Sequence, residues 1–222
     1  MQQIVVSEEL AEKVPDVVLS CIECDVNPVE KNDRLWKVIE DKVTDLSNNL
    51  KVEEISRIPA ISASRKAYKA CGKDPARYRL SAEALLRRVI KRKEIYQINS
   101  VVDLLNLVSI STGFSIGGYD AEEIKGDAVF GIGEKDEPYV GIGRGELNIE
   151  GMPVFRDEKG AFGSPTSDSE RTSVSIHTRR FLMIIIDYND SPQLQEATEM
   201  AVSLLEKYGR ADNLEHKNIR IR

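Results

Sequence analysis

At 222 residues the chain suits one large domain or two small ones, and its 31% charged and 41% hydrophobic residues are the balance of an ordinary globular protein. No apolar run nears the roughly 18 residues of a membrane span, and three cysteines are too few for a disulfide framework. The net charge of −6 hides a segregation, because residues 57–93 carry twelve basic against two acidic side chains while residues 1–56 carry six against thirteen. A basic segment inside an acidic chain reads as a polyanion footprint, since each neutralised phosphate releases condensed counterions. The bland alternative is a solvated helix face.

The N-terminus lacks a basic start followed by a long apolar core, which predicts a cytoplasmic protein without a leader. Residues 3–6 and 16–26 read as strands. The second holds Cys21 and Cys24, which lie three apart and so point to opposite faces of a strand. A zinc site also needs about two more ligands, so the reading is buried, inert thiols with no metal and no cofactor. A helix is expected over 31–50 around Leu35, Trp36, Ile39, Val43 and Leu46.

Further helices are expected at 60–71, 81–93 and 99–110. Helix 81–93, with Ser81 as candidate N-cap, sets Leu85, Leu86, Val89 and Ile90 against Arg87, Arg88, Lys91 and Arg92. With Lys66, Arg77, Arg79 and Lys93, these four basic residues are the candidate RNA contacts. In the 99–110 segment, Asp103, Asn106 and Ser109 fall three apart among Val, Leu and Ile. Buried polar groups cost a few kcal/mol unless paired, so they need partners in the protein or a ligand.

Gly117 and Gly118 in GGYD read as a turn whose amides could face a bound carbonyl, with Asp120 as a cap for Ala121. Residues 113–172 read as short hairpin strands. Within them Ser164, Thr166, Ser167, Asp168, Ser169, Arg171 and Thr172 form a loop suited to an amino group or ribose hydroxyls, or to an ordinary turn. FLMIIIDY reads as a central strand and 191–208 as a closing helix, with His216 in a polar tail. There is no GxSxG, HExxH or GxxxxGK[ST] pattern. The fold class expected is α+β, a mixed β-sheet flanked by helices.

Several stretches together resemble the B3/B4 domain of the phenylalanyl-tRNA synthetase beta subunit: RKAYKACGKDPARYRLSAEALLRR, the VDLLNLVS helix, GGYD, IEGMPVFRDEKG and SPTSDSERT. The resemblance runs from about Arg57 to Tyr208. It implies a B3/B4-like domain over 57–222, with 1–56 as a strand–helix extension packed on it, similar to free-standing members of the group. The synthetase domain edits mischarged tRNA, so the resemblance implies a trans-acting hydrolase that cleaves the ester at the tRNA 3′ adenosine. The implied partner is tRNA, with no DNA and no membrane. The alternative is a non-catalytic module that binds tRNA or an amino acid.

An activated ester needs little more than a positioned water and stabilisation of the oxyanion, which suits the absence of a triad. The resemblance assigns catalytic positioning to Asn106, Gly117 and Gly118, and substrate contact to Ser109, Asp120, Glu150, Ser164, Asp168, Ser169 and Thr172. Glu150 is the nearest match to the glutamate that recognises a tyrosine hydroxyl in the synthetase domain, although the usual Gly-Glu order is reversed here.

Overall fold

One strand divides the hydrophobic core in two. In β9 (Arg180–Asp187) every side chain after the first is buried, and alternation sends Phe181, Met183 and Ile185 to one cluster and Leu182, Ile184 and Ile186 to another. A strand buried on both faces must be central, and the computed structural model, which describes residues 1–93 and 95–221, places it so. β9 lies between β2 (Val18–Asp25) and β3 (Ser115–Asp120), and β10 (Asp212–Arg220) completes this antiparallel sheet in the order β10-β2-β9-β3.

On one face of that sheet lie α2 (Asp33–Asn49), α3 (Pro59–Ala70), α4 (Ser81–Ile90), α5 (Ser100–Thr112) and α6 (Gln193–Leu204). Against the other face packs a second sheet of order β1-β4-β7-β8, built from β1 (Ile4–Val6), β4 (Ala128–Ile132), β7 (Pro153–Asp157) and β8 (Gly160–Gly163). This sheet is mixed, since β1 runs parallel to β4 and the other pairs are antiparallel. A short helix α1 (Glu8–Lys13) and a two-stranded ribbon of β5 (Val140–Gly141) and β6 (Gly145–Glu146) complete the elements.

The class is α+β as expected, with the strands shared between two sheets. Residues 1–56 supply a central strand: β2 pairs with β9 along its whole length, from Val18 opposite Asp187 to Asp25 opposite Arg180. Cys21 and Cys24 face opposite cores, and burial raises both thiols to about 12.

Several local expectations need correction. GGYD is not a turn. Gly117 and Gly118 are extended residues of β3, paired with Ile184 and Met183. The glycines are required by packing, because a methyl at Gly118 would run into Leu105 and one at Gly117 into the Tyr119 hydroxyl. The helix expected over 81–93 stops at Ile90 and starts after Leu80, so Ser81 is its first residue and not its cap. The polar tail is strand β10, whose side chains alternate between half-buried and exposed along most of its length, a pattern without the apolar signal of a core strand. Among the described residues, no helix is long and apolar enough to cross a membrane.

Candidate functional site

Tyr119, on the side of β3 that faces the second sheet, is fully buried, with its ring edge-on to Phe162 at 5.0 Å and to Phe155 at 6.0 Å. Its hydroxyl passes between Gly117 and Gly163, where any Cβ would collide with it. A buried phenol needs a partner, and here it donates to Asp168 Oδ1 at 2.9 Å. Asp168 is half-buried as a residue, and protein surrounds its carboxyl. Burial raises its pKa from the usual 3.8 to about 7, opposed by the Tyr119 hydrogen bond and by the amides of Gly118 and Ser164. Tyr119 is held well above its ordinary value, first by burial and then by the Asp168 charge, so it stays a neutral donor.

The loop carrying Asp168 is rigidly held. Ser164 Oγ accepts from the amides of Thr166 (3.3 Å) and Ser167 (3.1 Å) and donates to the Ser167 carbonyl (2.8 Å). Tyr139 donates to the same carbonyl at 2.6 Å, and the Ile142 amide donates to the Asp168 carbonyl at 2.9 Å. Two bonds reach the basic helices. Tyr68 of α3 shares a hydrogen bond of 2.9 Å with Thr166 Oγ1, and the Ser81 amide at the start of α4 donates to the Pro165 carbonyl at 2.7 Å. The acid and the basic segment are therefore mechanically continuous.

The remaining sequence-derived residues scatter. Ser109 is buried and donates to the Phe114 carbonyl at 2.8 Å, closing the end of α5. Asp103 is also buried and accepts from the Ile98 amide at 2.9 Å, and burial raises its carboxyl to about 6. Only Asn106 of that stripe, half-buried, has no side-chain hydrogen bond among the described residues. Asp120 accepts from the Glu122 amide (3.2 Å) and from Thr178 Oγ1 (2.8 Å), capping the turn as expected and leaving both oxygens engaged. Ser169 accepts from the Arg171 amide at 3.3 Å and Thr172 donates to the Phe162 carbonyl at 3.4 Å, so both brace the loop. Glu150 is exposed, and its backbone carbonyl accepts from Lys73 Nζ at 2.5 Å.

Among the basic residues, Lys66, Arg77, Arg79, Lys91, Arg92 and Lys93 are exposed, and Arg87 and Arg88 are half-buried. The buried Glu83 organises part of this set, with Arg65 at 2.8 Å, Arg87 at 3.0 Å and Arg79 at 3.9 Å. One carboxylate among three guanidiniums leaves the cluster net positive. Tyr119, Tyr139 and Tyr68 were not singled out as site residues from sequence. The available signal was glycine flanking an aromatic in GGYD and following one in GAFGS, which marks room made for a ring. Among the described residues, no group of three or more His, Cys, Asp or Glu side chains is placed to hold a metal ion. A groove lies elsewhere, between α2 and the residues Arg92, Lys93 and Ile95 to Gln97.

Residues 63–210 match the B3/4 domain family. Among solved structures the chain is similar to an N-terminal fragment of the phenylalanyl-tRNA synthetase beta-subunit from Pyrococcus horikoshii, at 16% identity and a TM-score of 0.48. That match covers 98% of this chain and 50% of the other, so the chain spans about half the length of that fragment. No curated protein matches the sequence.

Proposed function

The chain belongs to the B3/4 domain family, and from that premise we infer that it is a trans-acting hydrolase of mischarged aminoacyl-tRNA. The observation that carries this reading is Asp168, a half-buried residue whose carboxyl has a pKa near neutrality, on a loop bonded to both basic helices. General base catalysis works best when the base titrates near the operating pH. The Asp168 carboxylate takes a proton from a water as that water attacks the ester carbonyl. The carbonyl–ribose bond then breaks and the proton passes to the ribose oxygen, giving a free amino acid and an uncharged 3′ end. Tyr119 orients Asp168 through their hydrogen bond, and backbone phosphates lie on α3, α4 and the 77–79 turn.

The commitment of Ser109, Ser164, Ser169 and Asp120 to internal bonds favours the second reading, a tRNA-binding module without turnover. A single-turnover deacylation assay against a panel of mischarged tRNAs separates the two. The hydrolase reading expects at least one tRNA to be cleared faster than its spontaneous rate. Tight binding across the panel with spontaneous rates throughout leaves the binding module.

A further inference from the structure

A groove of about 780 Å³ lies between α2 and the residues Arg92, Lys93 and Ile95 to Gln97, outside the acid–phenol site. Its α2 wall presents Trp36 and Val43, with Glu40, and its other wall presents Arg92, Lys93 and Tyr96. Tyr96 is 66% exposed, unusual for an aromatic side chain, and the Arg88 guanidinium lies over its ring at 4.1 Å. Arg92 stands at the left-handed position that ends α4, with φ of 52°. The Arg92 amide donates to Val89 O and the Lys93 amide to Arg88 O, a closure that ordinarily uses glycine at that position. A strained arginine there turns a cationic side chain toward a groove edged by two aromatic rings.

An exposed aromatic ring facing a half-buried one, with a basic lip, suits a ligand with a flat π-face and a negative charge on each repeat. Single-stranded nucleic acid has that chemistry. Its bases stack on aromatic and guanidinium planes, while a duplex keeps its bases paired and stacked internally. The volume is within the range of pockets that enclose small organic ligands. α2 lies outside the residues that match the family, so this groove is made jointly by the N-terminal segment and the family domain. We propose that the groove binds unpaired nucleotides of an RNA strand, with a base against Tyr96 and Trp36 and phosphates at Arg92 and Lys93. The proposal rests on the RNA contact inferred above and specifies a second point of attachment.

Trp36 is the chain's single tryptophan, so its emission reports on this groove directly. Titration with a short oligoadenylate single strand should quench Trp36 saturably. A duplex RNA of equal length and free AMP should quench far more weakly. Tyr96→Ala, at an exposed position, should keep the melting temperature and weaken the oligoadenylate by roughly 5- to 150-fold, the range for loss of one base stack. Absent quenching, equal affinity for duplex or AMP, or unchanged affinity in Tyr96→Ala overturns the groove. Wild-type protein that deacylates mischarged tRNA with no Trp36 response defeats the groove alone. A Tyr96-dependent response with no deacylation defeats the hydrolase reading alone.

Discussion

Replacing Asp168 with asparagine should remove activity and stabilise the fold at alkaline pH, an unusual pair of effects. The side chain keeps its shape and an oxygen to accept from Tyr119, but loses the charge that burial disfavours. The pKa of Asp168 is displaced from 3.8 to about 7, which is at most about 4 kcal/mol if burial alone carries it. Asp168 is only half-buried as a residue, and screening reduces this to about 1–2 kcal/mol. Below pH 4 the carboxyl is protonated in the folded and unfolded states alike, so variant and wild type should melt together. Between about pH 4 and 7 the folded state holds a proton that the unfolded chain has shed, so wild-type stability falls as pH rises. Above about 7 the penalty is complete, and the variant should melt roughly 3–6 °C higher. Deacylation should drop on the order of 10²–10⁴, and wild-type turnover should rise through about pH 7 as the base ionises. Calorimetry from pH 4 to 9 and single-turnover deacylation on the same preparations test both halves. A melting temperature lowered at every pH, with activity per folded molecule intact, would show that the carboxylate is only a structural acceptor for Tyr119 and its loop.

Gly118→Ala should cost about 1–3 kcal/mol by forcing a methyl against Leu105 and Phe181, with turnover per folded molecule unchanged; normal stability with lost turnover would restore a role for this residue in the chemistry. Asn106→Ala removes a side chain with no hydrogen-bond partner among the described residues, so urea unfolding should move by no more than about 0.5 kcal/mol with turnover unchanged; lost turnover at normal stability would return Asn106 to the site. Glu83→Gln leaves Arg65, Arg79 and Arg87 around a neutral group and should cost about 3 kcal/mol in urea unfolding. A change under about 0.5 kcal/mol would mean that solvent already screens the cluster.

The layers of the fold were legible because burial leaves a period. The continuous apolar run of β9 and the i, i+3, i+4 pattern of α2 and α4 announce their own environments. β10 was not legible, since an edge strand with one solvated face carries no apolar signal. GGYD was misread for a physical reason: glycine in sequence does not distinguish a backbone that must turn from one that must leave room. In β3 the need is for room, for Leu105 on one face and the Tyr119 hydroxyl on the other. The serine-rich loop was read correctly as polar, but composition cannot tell a hydroxyl offered to a ligand from one spent on its own turn. Ser164 and Ser169 are spent, and Asp168 is the member whose carboxyl burial lifts to about 7.

That difference bears on how such a site could discriminate between substrates. A loop bonded to α3 through Thr166, to α4 through Pro165 and to β3 through Asp168 has little freedom to close over a ligand. On the hydrolase reading, selectivity on such a scaffold would come from where the tRNA sits when its phosphates meet α3 and α4, because docking would fix the distance from the backbone to Asp168. A rigid acid placed beforehand has no reorganisation to undergo at the moment of reaction, so on the hydrolase reading an ester brought to it by a correctly seated strand would be cleaved and one held out of reach would be spared. The carboxyl's own desolvation is what raises it to about 7, the basicity that the hydrolase reading requires, and the fold bears that cost at a point held by three separate elements.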